Sequence, residues 1–132
     1  MSGPRHAPRD TEGRRAAFHR GRRGECLALW WLRAKGYRIL AQDYRSPVGE
    51  IDVVARRGRI LAIIEVKSRD TADAAAEAIS LRQRGRIIAA ARLYLGRNPR
   101  HADCSVRFDV MLVIPGRWPR HIAGAWQLDR LL

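Results

Sequence analysis

Two strand-forming runs, residues 50–56 and 59–67, stand on either side of Gly58, and this pairing constrains the fold more than any other stretch. Both are rich in Val, Ile and Leu, and a glycine between two such runs signals a tight hairpin. Side chains alternate along a strand. Glu50 and Asp52 therefore emerge on one face of the first run, and Glu65 and Lys67 on one face of the second. A two-residue turn at Arg57-Gly58 pairs Arg56 with Arg59, sets Glu50 opposite Glu65 and gathers all four groups together. A three-residue turn instead sends the two sets to opposite faces.

The rest of the chain frames this hairpin. From Gly21 the spacing predicts a helix, with Leu27, Trp30, Trp31 and Ala34 on its inner face and Gly36 as its stop. Residues 37–44 form a short strand ended by the Ser46-Pro47 turn. Residues 81–95 form a second helix with Ile87, Ile88, Ala91 and Leu95 on one face and Arg82, Arg84, Arg86 and Arg92 available to the other. Asn98-Pro99 breaks it. Val106, Phe108, Val110, Leu112 and Ile114 then alternate as a half-buried strand halted by Pro115-Gly116. A strand, a crossover helix and a further strand in one sheet make a right-handed unit with parallel strands. Residues 119–132 are expected to add a short strand and a helical turn. The fold class is α/β, a mixed sheet flanked by helices in the order α-β-β-β-α-β.

Charge narrows the function. Lys and Arg number 26 against 13 Asp and Glu, a net +13 with a pI near 11.4. Small domains usually carry a net charge of only ~2–8, so a polyanion, by default nucleic acid, is the expected partner. Residues 1–23 hold seven Arg against Asp10 and Glu12, interrupted by Gly3, Pro4, Pro8 and Gly13. Residues 1–20 accordingly read as a disordered basic arm and residues 21–132 as the folded domain. The longest apolar run, residues 26–32, is seven residues, against the ~20 that span a bilayer. With no apolar h-region near Met1, the expectation is a cytoplasmic protein without a membrane segment. Cys26 and Cys104 are expected to be buried free thiols. His6, His19, His101 and His121 lack zinc-ligand spacing, and the four Trp residues read as core.

The chemistry lies in the hairpin. Ile60 to Ile64 is apolar, so Glu65 and Lys67 sit at the edge of a dry interior, where charge must be paired or bound to a cation. Two carboxylates are hard oxygen ligands suited to Mg²⁺, with water and phosphate oxygens completing the shell. An ammonium beside them can hold an attacking water or stabilise charge developing on a phosphate. Of the 26 basic residues only Lys35 and Lys67 are Lys, which marks Lys67 as a compact charge chosen against an Arg background. The plainer alternative is a Glu65–Lys67 surface ion pair worth ~0–1 kcal/mol.

Gly24-Glu25, Gly36-Tyr37, Arg45, Gly49-Glu50-Ile51-Asp52, Glu65-Val66-Lys67-Ser68-Arg69 and Arg107-Phe108-Asp109 together closely resemble the YraN family of small bacterial proteins. The likeness runs in order from about Gly21 to Trp126. That family looks like a member of the restriction-endonuclease-like superfamily, similar in layout to archaeal Holliday-junction resolvases. The resemblance implies a restriction-endonuclease-like sheet, Asp52 and Glu65 as ligands of Mg²⁺ (or Mn²⁺), and Lys67 as catalytic lysine. Glu25 would match an additional acid of those resolvases; alternatively, an acid in a first helical turn gains ~0.3–1 kcal/mol from the helix dipole alone. Relatives often carry Lys where this chain has Gln83.

The expected activity is Mg²⁺-dependent hydrolysis of DNA, with branched or deformed DNA favoured over RNA and a homodimer implied by the resolvase likeness. Arg45, Arg69, Arg82, Arg84 and Arg86 are the expected phosphate contacts. Arg107 and Asp109, two apart on a strand, are expected to form a structural ion pair. The alternatives are a non-catalytic nucleic-acid-binding module with the same fold and a protein that docks on RNA or the ribosome through its basic arm.

Overall fold

The computed structural model describes residues 25–68 and 79–127. The arm, Arg69 and the expected C-terminal helical turn lie outside the described residues. Helix α1 covers residues 25–34. Strands β1 (Arg38–Ser46), β2 (Gly49–Arg57) and β3 (Ile60–Ser68) follow, then helix α2 (Leu81–Arg97), a 3₁₀ turn (Pro99–His101), and strands β4 (Ser105–Val113) and β5 (Arg120–Trp126). The five strands lie in sequence order in one sheet. β3 and β4 run parallel across the α2 crossover, and every other pair is antiparallel. The α/β class and the parallel crossover unit are as expected, with β5 extending the order to α-β-β-β-α-β-β. No helix among the described residues is long and apolar enough to cross a membrane.

Among the described residues, one helix covers each sheet face. Ala28, Leu29 and Leu32 of α1 pack with Val53, Ala55, Ala62, Ile64, Met111 and Val113, while Ile87, Ile88 and Ala91 of α2 pack with Val54, Leu61, Ile63, Phe108 and Val110. The interior strand β4, between β3 and β5, is therefore buried on both faces rather than on one. The inner face of α1 differs from the sequence reading. Trp30 is 68% and Leu27 37% exposed, and the stripe Glu25, Ala28, Leu29, Leu32 turns inward instead. Trp30 suggested a phase that the better-fitting small and aliphatic side chains override, while Trp31 stays half-buried against the same cluster. Cys26, next along the helix, is exposed, not buried, and Cys104 is half-buried.

α1 ends as its sequence demands. Gly36 takes φ +91°, its N–H donates to the Arg33 carbonyl, and the Tyr37 N–H donates to the Leu32 carbonyl, the paired bonds of a Schellman cap. The β2–β3 hairpin closes with Arg57 opposite Ile60, so Gly58-Arg59, not Arg57-Gly58, form the turn. Gly58 adopts φ +61° at the first loop position, where a primed hairpin turn needs a positive φ. The shift is by two residues, so the faces are as expected while the cross-strand partners change.

Candidate active site

The β2–β3 ladder ends at Val53 and Ile64. The next step of that register sets Asp52, not Glu50, opposite Glu65. Asp52 Oδ2 there accepts the Val66 backbone N–H at 2.8 Å, so a side chain takes up a backbone donor where the strands part. The two carboxyl groups hydrogen-bond to one another. Burial raises the Asp52 carboxyl above the usual range, with the charges of Asp43 and Glu50 adding to it and the Val66 N–H opposing it. Burial, then the charge of Asp52, pushes Glu65 up to about 8, against the pull of Lys67. The pair therefore holds on to a proton that two separate carboxyls would lose.

Helix α2 roofs this pair. Ser80 caps the helix by accepting the Gln83 N–H at 3.1 Å, which fixes the first turn and turns Gln83 toward the sheet. Gln83 Nε2 donates to Glu65 Oε1 at 3.1 Å. Glu50, Asp52, Glu65, Gln83, Arg86 and Ile87 line a cleft of about 150 Å³. Gly49 lets the roof come this close: a Cβ built on it would lie 2.1 Å from the Arg86 carbonyl oxygen. Ser80-Leu81-Arg82-Gln83 has the spacing of a capping box, so Gln83 at the third helical position was readable in principle. Gly49 was not, because its constraint comes from a helix far along the chain.

The remaining expected site residues are distributed as follows. Lys67 lies two residues from Glu65 on the same strand face and is buried, only 6% exposed. Arg45 is exposed, opposite Glu50 across β1 and β2. Arg86 lines the cleft, and Arg82 is exposed on α2 without lining it. Arg84 turns away: its Nε donates to the Ile79 carbonyl, and its guanidinium lies 5.5 Å from the Trp126 ring centroid. Glu25 is half-buried on α1 and does not line the cleft. Among the described residues no group of three or more His, Cys, Asp or Glu is placed to hold a metal ion, so the acidic centre is the Asp52–Glu65 pair, with Glu50 also lining the cleft.

The opposite sheet face holds a second polar cluster. Arg107 grips fully buried Asp109 through two bonds of 2.8 Å, confirming the expected ion pair. Asp109 also accepts from His121 Nε2 at 2.7 Å and from the Gly124 N–H at 2.9 Å. These bonds hold the Asp109 carboxyl below its usual range despite burial. Gly124, at φ +62°, sits where the β4–β5 register slips, so its amide faces a side chain instead of the ladder. With every carboxylate oxygen satisfied, the cluster is structural.

A family model described as "Uncharacterised protein family UPF0102" matches residues 24–113. A UPF0102 protein of Parvibaculum lavamentivorans is 54% identical over 112 residues, covering 85% of this chain and 84% of that one. One of Chelativorans is 51% identical over 113 residues, covering 86% and 91%. One of Methylorubrum extorquens is 48% identical over 125 residues, covering 94% and 98%.

Proposed function

This chain belongs to the UPF0102 (YraN) family, and from that premise and the carboxylate pair we propose that it is a divalent-metal-dependent endonuclease acting on DNA. The observation carrying this reading is that Asp52 and Glu65 meet, hydrogen-bonded, in a cleft with Lys67 on the same strand face as Glu65. The donor set suits Mg²⁺ or Mn²⁺: two hard carboxylates, pressed together until one keeps its proton, are a pair that a cation relieves. At ~30 Å³ per water, a cleft of about 150 Å³ has room for an ion with several water or phosphate ligands.

Asp52 and Glu65 are the residues that would hold the ion. The chemistry it supplies when bound is acidification of a ligated water and neutralisation of phosphate charge. The Val66 N–H aims Asp52, and the Gln83 amide aims Glu65. Lys67 supplies positive charge where the scissile phosphate becomes more anionic. Arg86 and Arg45 hold the phosphates that flank it, reading backbone rather than base edges. A dimer of the chain would present two such clefts to a branched substrate.

A panel of branched, nicked, single-stranded and blunt DNA, incubated with Mg²⁺ or Mn²⁺, tests the reading. Wild type cleaves at least one substrate, and D52N and E65Q cleave none. Cleavage that survives both substitutions belongs to a contaminant. A non-catalytic binding module is the second reading, favoured by the limitation of the acidic centre to two carboxylates among the described residues. It predicts salt-dependent binding, no metal requirement and no cleavage.

A further inference from the structure

Resting on the nuclease reading, the position of one aromatic pair narrows the substrate. We propose that the Trp31–Trp118 stack seats an unpaired nucleobase of the substrate strand. Trp118 is 78% exposed, yet it is not loose: it stacks on Trp31 with ring centroids 5.6 Å apart at 30°, and buried Pro119 follows it. One indole face is thus occupied and the other is offered to solvent, which is the form of a base-stacking platform. Arg117 and Arg120, both exposed, flank it in sequence and supply charge for the backbone.

The sheet register brings this platform to the cleft's end of the molecule. β3 and β4 are parallel with Lys67 opposite Leu112 and Ser68 opposite Val113, and Leu112 in turn faces Arg120 of β5. The β4–β5 loop carrying Trp118 therefore leaves the sheet at the edge that holds Glu65 and Lys67. Val113 lies only three residue steps, ~10 Å, beyond the level of Glu65. Trp118 rests on α1, whereas the cleft lies beneath α2, on the other face of the sheet. A strand with its phosphate in the cleft and a base on Trp118 must bend around the sheet edge. A duplex, with a persistence length of ~150 bp, resists such a bend, and a single strand does not. The substrate class is accordingly DNA with a single-stranded branch or extension next to the scissile bond.

Fluorescence anisotropy in EDTA, where no cleavage occurs, tests this with full-length protein and three labelled probes. These are a blunt duplex, that duplex with a thymine extension, and that duplex with an abasic extension of equal length. Wild type binds the thymine probe about tenfold more tightly than the abasic one, the increment of a stacked base. W118A removes the difference while blunt-duplex affinity moves less than twofold, and W118F retains part of it. Equal binding of thymine and abasic probes by wild type overturns the proposal. So does an equal loss on all three probes in W118A, or sedimentation showing that Trp118 is covered by a second copy of the chain. Because no metal is present, base-dependent binding by a protein that cleaves nothing defeats the nuclease reading and leaves the platform standing.

Discussion

Gln83 on α2 donates its side-chain amide to Glu65 on β3 at 3.1 Å, tying the helix that roofs the cleft to the carboxyl that the cleft contains. The contact is set from both ends, by the Ser80 cap on the helix and by the β2–β3 register on the sheet. It makes α2 part of the site rather than a neighbour of it.

Removing this tie leaves both acids present but Glu65 unaimed. Q83A is expected to weaken Mg²⁺-dependent cleavage by about tenfold or more, the usual effect of losing a residue that orients a metal ligand. Affinity for uncleaved DNA in EDTA stays within twofold, since Gln83 carries no charge. Parallel cleavage and binding titrations distinguish this from a general loss of fold.

Gly49 sets the height of the roof. In G49A the new methyl would sit 2.1 Å from the Arg86 carbonyl oxygen, so strand or helix must shift. Overpacking of this kind costs about 1–3 kcal/mol, which urea unfolding will show as a lower midpoint at unchanged slope. Cleavage should fall further than stability alone accounts for, because α2 carries Gln83 and Arg86.

Glu65 ties stability to pH. Folded, it keeps its proton to about pH 8, whereas the unfolded carboxyl loses it near 4.5. The folded state therefore binds more protons across that window, and the stability involved is full below 4.5 and lost as pH rises through about 8. In EDTA, E65Q should melt higher than wild type at pH 9, with the difference shrinking toward pH 5. A difference that is constant with pH contradicts the paired-carboxyl geometry.

Asp109 is expected to matter for folding and not for chemistry. D109N leaves the Arg107 guanidinium and His121 without their buried anion, a loss of about 3–5 kcal/mol. Thermal melts measure it, and residual cleavage per folded molecule should match wild type.

Much of this was legible from local rules, and what was not depended on long-range contact. Alternation together with a two-residue turn put Asp52 and Glu65 on one face, and the observed shift by two residues preserves that parity. The shift itself followed from the positive φ of Gly58, which places that glycine first in the loop. The Arg107–Asp109 pair was readable from spacing of two on a strand. The added bonds from His121 and Gly124 were not, since they arise from a register slip between β4 and β5. On α1 the weight of Trp30, which is exposed, misdirected the choice of inner face, although Trp31 does pack against the core. Only the packing surface of the sheet reveals that Ala28, Leu29 and Leu32 fit it.

Calorimetric titration of Mg²⁺ and Mn²⁺ into wild type, D52N and E65Q addresses the central claim directly. One binding site per chain is expected in wild type and none in either variant, with melting curves showing all three folded. Equal binding by the three proteins, or none by wild type with DNA present, would contradict it.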